Sequence, residues 1–226
     1  MKRKLLPYLL SLVALFGFTG CFELEEKAHF NRDGSGTYQF TVDLGRLKSF
    51  IDMMDAMSEE SEDAKSSPKE EIKDGFNETN EKLSRIRGIS NIKPIEDEEN
   101  FHFGLSFDFK DIDALNKAMN ATFDIKKDGE PVDLDFFSFK NGRLERFEYQ
   151  NLEEALKDAK DGEEIDLSGG SFMDDFTYTT IYTFEKPVQN VSNQTVMLSP
   201  DRKTVTHSIH PFREGDTTTL HNIIEF

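Results

Sequence analysis

Five histidines, one cysteine and 44 carboxylates are the side chains from which this 226-residue sequence could build a reactive or metal-binding centre. His207 and His210 stand three apart in a segment of strand character. Residues at that spacing point to opposite faces of a strand, so the pair cannot chelate one ion. His29, His102 and His221 have no ligand-type partner at a recognisable spacing. Asn31-Arg32-Asp33-Gly34-Ser35-Gly36 looks like the start of a calcium loop. Such a loop closes on a bidentate glutamate twelve positions from its start, and position 42 is Val, so the hexapeptide reads as a glycine turn. Asp133 and Asp135 share one face of a strand, and Asp174-Asp175 opens another. Nothing around either pair supplies the burial that lifts a carboxyl pKa for general-acid work. No serine stands in a nucleophile elbow, and no glycine-rich phosphate loop precedes a helix. No catalytic residue, metal site or cofactor is assigned, and the chain reads as non-enzymatic.

The single cysteine has a different setting. Lys2, Arg3 and Lys4 form a basic start, and Leu5 to Phe18 is a mostly apolar run broken by Pro7 and Ser11. The run is shorter than the roughly 20 residues that a membrane-spanning helix needs. Basic start, apolar run and small residues are the layout of a secretory signal peptide. The run ends in Phe18-Thr19-Gly20-Cys21, which resembles a bacterial lipobox, although Phe18 stands where an aliphatic residue is usual. Cleavage between Gly20 and Cys21, with lipidation of Cys21, is therefore expected. Residues 1–20 are then the signal peptide and 21–226 the mature protein, held to the membrane by acyl chains on Cys21. Phe22 follows the cysteine where Asp is associated with retention in the inner membrane, which favours the outer membrane. The domain is expected to face the periplasm or the surface. With Cys21 consumed no thiol remains, and thiol redox chemistry is excluded.

Charge narrows the partners further. The formal net charge is −17, and removal of the signal peptide takes away three basic residues and no acid. Nucleic acid is excluded, because its binding rests on Lys and Arg neutralising phosphates. Leu, Ile, Val and Phe make up about 27% of the chain, above the roughly 20% below which so charged a chain stays disordered. One cysteine permits neither a disulfide framework nor a Cys-rich zinc site.

The mature chain is read mainly by its periodicity. Alternation over 22–30 and 37–43 around the glycine turn predicts a hairpin. Leu44, Leu47, Phe50, Ile51, Met54 and Met57 predict a helix. Residues 58–66 read as solvated loop. Ser67-Pro68-Lys69-Glu70 is a capping box with proline at the first helical position, ahead of a stripe at Ile72, Phe76, Leu83 and Ile86. Strands are predicted near 89–95 and over 101–109, and Asp111 or Asp113 caps a short helix. Asn141-Gly142 is a strong two-residue hairpin turn between Leu134–Phe139 and Leu144–Tyr149. A short helix is predicted over 152–159 and an acidic loop over 161–171. Strands follow at 176–184, near 196–198 and 205, and at 220–226. The fold class is α+β, an antiparallel sheet with a helical hairpin and short helices packed on one face. One domain is expected, with a division near 121–133 as the alternative.

The 21 phenylalanines, with no Trp, are the most unusual feature of the composition. Phe101, Phe103, Phe107 and Phe109 line one face of the cleanest alternation in the chain. They read as core beneath the helices, and as candidate lining for an apolar-ligand pocket.

The order of elements resembles bacterial lipoproteins of the LppM-like type. A lipobox is followed at once by a strand and the Asn31–Gly36 turn. Near the end Tyr182-Thr183-Phe184-Glu185-Lys186-Pro187-Val188 precedes Asn193, Asp201 and Thr204-Val205-Thr206. His207 stands where the family has an aromatic residue, Phe-Pro is stretched to Phe-Glu-Lys-Pro, and the C-terminal membrane helix of many relatives is missing. The resemblance implies an α+β lipoprotein domain with a lipid-accommodating cavity, and no catalytic residues. The expected function is a lipid-anchored envelope protein that binds an apolar or lipid ligand. The alternative is a protein-interaction module of an envelope complex.

Overall fold

A computed structural model describes residues 22–45, 48, 52, 68–123, 126–127, 130–131, 133–148, 176–213 and 215–226. The signal segment, Cys21, the first expected helix apart from Lys48 and Asp52, the 58–66 loop, the 152–159 helix and the 161–171 loop lie outside these residues.

Seven strands form the larger sheet, in the order β11 (Met197–Leu198), β12 (Thr204–Ile209), β9 (Phe176–Phe184), β1 (Phe22–Phe30), β2 (Gly36–Asp43), β4 (His102–Phe109) and β3 (Ile89–Asp97). A second sheet runs β10 (Asn190–Val191), β13 (Asn222–Glu225), β8 (Arg143–Arg146) and β7 (Phe137–Lys140). Lys126–Lys127 (β5) and Glu130–Pro131 (β6) pair as a small ribbon. The helices are α1 (Pro68–Ser84) and α2 (Ile112–Phe123). The class is α+β, mostly sheet. The pairing departs from a purely antiparallel sheet at one place, where β1 lies parallel to β9. A parallel pair needs a long crossover, and residues 31–175 supply it.

Period-two patterning decides which side chains face inward. Leu24, Glu26, Ala28 and Phe30 of β1 are buried while Glu25, Lys27 and His29 between them are only partly buried. The same face carries Tyr38 and Phe40 of β2, Leu105, Phe107 and Phe109 of β4, and Phe176, Tyr178, Tyr182 and Phe184 of β9. The second sheet covers this face with Phe137, Leu144 and Ile224, and α2 covers it with Leu115, Ala118 and Met119. Phe30 sits at the centre, with its ring 5.6–5.8 Å from those of Phe109, Phe137, Tyr182 and Phe184. Burial of such a ring contributes several kcal/mol, since Phe→Ala in a core costs about 3–5 kcal/mol.

Local chemistry explains the turns and caps. The Asn31–Gly36 segment is the β1–β2 turn: Ser35 donates to Asp33 Oδ1 through its amide at 3.0 Å and its hydroxyl at 2.7 Å. Gly36 has no substitute, because a Cβ there would lie 1.8 Å from the His29 carbonyl oxygen. Asn141 and Gly142 take φ of 56° and 74° between β7 and β8, the paired positive values of the tight hairpin turn expected there. Asp111 caps α2 by accepting from the Ala114 amide at 2.9 Å.

The edge of β7 is closed by side chains of α2. Asn116 Oδ1 accepts from the amides of Phe136 (3.1 Å) and Phe137 (2.9 Å), and its Nδ2 donates to the Phe137 carbonyl at 2.9 Å. One turn on, Asn120 accepts from the Leu134 amide and donates to the Leu134 carbonyl, both at 2.9 Å. The helix thus supplies the hydrogen bonds that a neighbouring strand would give. Among the described residues no helix is long and apolar enough to cross a membrane.

Candidate functional site: an open groove and a closed charge cluster behind it

The four phenylalanines singled out in the sequence all face inward, but they divide. Phe107 and Phe109 belong to the main core. Phe101 and Phe103 join Leu44 in a smaller cluster against Ile72 and Phe76 of α1. All four are at most 3% exposed. Cys21 lies outside the described residues, and its sequence neighbour Phe22 is the first residue of β1.

The other sequence candidates take separate partners. His207 is buried on the inner face, with Nε2 2.8 Å from Thr195 Oγ1. His210 Nδ1 lies 3.2 Å from the Phe176 carbonyl and 3.3 Å from the Thr177 hydroxyl. Asp133 and Asp135 are exposed. Among the described residues no three His, Cys, Asp or Glu side chains converge in a way that could hold a metal.

An unanticipated polar centre lies between the two sheets. Glu26 is fully buried and Arg146 is 2% exposed. Arg146 Nη2 donates to Glu26 Oε2 at 3.2 Å, and its Nε donates to the Tyr182 hydroxyl at 3.2 Å. Its Nη1 donates to the Phe147 carbonyl at 2.9 Å. Tyr182 donates to Glu26 Oε1 at 2.6 Å, and Tyr178 donates to Glu26 Oε2. Burial and then the Glu26 charge push both tyrosines well above their usual pKa, so they stay neutral donors. Burial alone would depress the Arg146 guanidinium, but the Glu26 carboxylate holds it well above its usual value. Arg146 also lies 4.9 Å from the centre of the Phe137 ring. The cluster is closed to solvent and saturated around the carboxylate, which suits it to clamping two sheets together. One signal of it stood in the sequence: Glu26 occupies an inward position of an alternating strand, between Leu24 and Ala28.

On the opposite face of the larger sheet Thr41, Gly104 and Thr179 are buried, but nearer the Phe30 end of β1 no described element covers the sheet, and a groove of about 530 Å³ crosses β9, β1, β2, β4 and β3 there. Strand register sets its lining in two rows. The first reads Ile181, Lys27, Gln39, Ser106, Lys93, and the second Thr183, His29, Thr37, Asp108. A bulge between Ser90 and Lys93 closes the far end. There Asn91, at a φ of 52°, donates its side-chain amide to Asp108. Lys27 is paired with Glu25 at 2.5 Å, and His29 Nδ1 lies 2.9 Å from the Thr183 hydroxyl. With strands about 4.8 Å apart, the ammonium-bearing residues Lys27 and Lys93 stand about 14 Å apart across the floor. The outward side chains of these rows offer donors and acceptors along the groove, and Ile181, Ala28, Tyr38 and Phe107 also border it, so polar groups stand beside apolar surface in a site long enough for an extended ligand. Its residues escaped notice in the sequence because outward polar positions of a strand look like ordinary solvated surface.

No family model matches the chain, and no curated protein matches it. Among solved structures it is similar to the folded domain of LppM from Mycobacterium tuberculosis, determined by NMR. That similarity extends over 93% of this chain and 92% of that one, with a TM-score of 0.41 and 10% identical residues.

Proposed function

We propose that this chain is a non-enzymatic, lipid-anchored protein of a bacterial envelope, and that its folded domain is an interaction module for another envelope protein. The anchor rests on the Lys2–Cys21 layout and the Thr19-Gly20-Cys21 ending. The interaction reading rests on the groove across five strands, where Lys27, Gln39, Lys93 and Asp108 stand beside apolar surface. Phe22 in place of Asp favours the outer membrane over the inner, and the acid excess removes nucleic acid from the partners. Labelled palmitate should enter the wild type and not Cys21→Ala, and a soluble or unlabelled wild type would sink the anchor. A photo-crosslinking residue at Gln39 or Ser106 should give a discrete protein adduct in cells, whereas one at Glu81 on α1 should not. Equal adducts at all three positions would remove the groove from the account.

A second reading, an apolar or lipid ligand, draws on the division of the aromatic face. Phe101, Phe103 and Leu44 form their own cluster beside α1, apart from the main core. Parting of α1 from β4 along that seam would line a pocket with those side chains. Lipid retained through purification and lost on Phe103→Ala would support it, and lipid-free wild-type protein would exclude it.

A further inference from the structure

The entry of the chain into the fold leaves no slack. Phe22 is both the residue after Cys21 and the first residue of β1. β1 is the middle strand of the seven and is paired from its start, Phe22 with Phe176 on one side and Glu23 with Asp43 on the other. Consecutive Cα atoms are about 3.8 Å apart, so an acyl group on Cys21 would be tied to the centre of a rigid sheet rather than to a tether.

The chemistry of that sheet end is uneven. Beside β9 and β12, Phe212 is half-buried with its ring 5.1 Å from that of Phe176, and Arg213 is exposed. Beside β3 and β4 stand Asp97, Glu98 and Glu99. Carboxylates stand at both corners, Asp216 beside Arg213 at the first and Asp97–Glu99 at the second, where Lys73 pairs with Glu98. The second corner is the more acidic and is repelled more by anionic headgroups, while the Phe212 ring at the first suits the headgroup boundary.

We infer that this end of the larger sheet is a membrane-docking face. The domain stands on the bilayer with β1 rising from it, the Phe212–Arg213 corner at the headgroups and the Asp97–Glu99 corner tilted away. The inference rests on the lipid anchor proposed above. Two distances follow from the rise of about 3.3 Å per residue. The Asn31–Ser35 turn lies about 30 Å from the anchor point, and the groove floor at Lys27–His29 about 17–23 Å from it.

The test uses acylated full-length protein in vesicles of phosphatidylethanolamine and phosphatidylglycerol. Cys21 is consumed by the lipid, so an engineered cysteine takes a fluorophore uniquely. Thr217→Cys, Glu99→Cys and Arg32→Cys report the two corners and the far turn, and a headgroup nitroxide supplies the quencher. Quenching should be strong at 217, weaker at 99 and near background at 32. A flexible Gly/Ser linker of about 15 residues placed after Cys21 should keep vesicle binding and cut quenching at 217 severalfold. Equal quenching at the three positions, or no effect of the linker, overturns the orientation. Palmitate labelling of the same samples separates the two failures. Unlabelled protein defeats the anchor and the orientation together, whereas labelled protein with uniform quenching defeats the orientation alone.

Discussion

Glu26 and Arg146 are 120 residues apart in sequence and meet at 3.2 Å in the space between the two sheets, both closed to water. The pair joins β1 of the larger sheet to β8 of the smaller one. Breaking such a pair is costly because it strands a buried charge, while replacing both partners by apolar groups of similar volume is often neutral. Arg146→Met alone should lower stability by about 3–5 kcal/mol. Glu26→Leu and Arg146→Met, combined with Tyr178→Phe and Tyr182→Phe to remove the hydroxyls that donate to Glu26, should recover most of that loss. Urea unfolding of the single and the combined variants decides the matter, and equal losses in both would mean the cluster is no ion-pair clamp.

The α2 asparagines make a second, independent prediction. Asn116→Ala leaves the amides of Phe136 and Phe137 and the carbonyl of Phe137 without their side-chain partner, inside the fold. A buried backbone group without a partner costs about 1–3 kcal/mol. Asn116→Ala should therefore cost more than Asn120→Ala, since Asn120 is only half-buried and, outside its own helix, serves one residue, Leu134. Hydrogen exchange at the Phe137 amide should accelerate in the first variant, and unchanged protection would contradict the edge-closing role.

Stability should fall as the solution is acidified, first through His207. Burial holds its imidazole below the ordinary value of 6.5, opposed in part by the Asp216 carboxylate. The unfolded chain takes up that proton more readily than the folded one. The contribution is thus complete above pH 6.5 and is lost as pH falls through the lower folded value. Asp33, Asp97, Asp201 and Asp216 are all held below 3.8, chiefly by hydrogen bonds from Ser35, Asn100, Ser199 and Thr218 respectively. Their contributions are lost only below that pH, so the two windows separate. Urea midpoints at about pH 7.5 and about pH 5 should differ in the wild type and converge in His207→Gln. An unchanged difference in the variant would assign the effect elsewhere.

Phenylalanine truncation discriminates core from seam. Phe107→Ala and Phe109→Ala empty sites in the main core and should each cost about 3–5 kcal/mol. Phe101→Ala and Phe103→Ala act on the small cluster beside α1, where the helix can settle onto the space, and should cost less. Thermal unfolding of the four variants, run beside fluorescent fatty-acid binding, reads both effects. Four equal losses with no ligand bound by the wild type would reject the seam as a pocket.

What the sequence displayed was local. The alternation of β1, β4 and β9, the Asn141-Gly142 turn and the Asp111 cap each depend on a few neighbouring residues, and each stands in the fold where it was expected. The parallel contact of β1 with β9 depends on residues about 150 apart, and no local pattern encodes which edge of β1 a later strand will meet. The second sheet was hidden for a related reason. The hairpin of β7 with β8 and the C-terminal strand β13 were expected, but nothing local says that they pair with each other apart from the larger sheet, and β10, two residues long, is too short for a period to register. Arg146 lies in a strand of four residues, too short for its inward direction to show as a repeat. Glu26 did break an apolar face, and a charge at such a position marks a buried partner elsewhere in the chain. The groove needed the lateral register of five strands, information that exists only after pairing.

The placement of β1 at the centre of the sheet has a consequence for synthesis. A chain emerging from its N-terminus delivers β1 and β2 early and β9 only once Phe176 has appeared. His29 must wait for Thr183, 154 residues later, to complete its hydrogen bond. Until then one flank of β1 presents unpaired amides and carbonyls beside a strongly aromatic face, the state in which strands join neighbouring molecules. Late closure of so distant a contact also slows folding. Chains halted before Phe176 should therefore be the aggregating species.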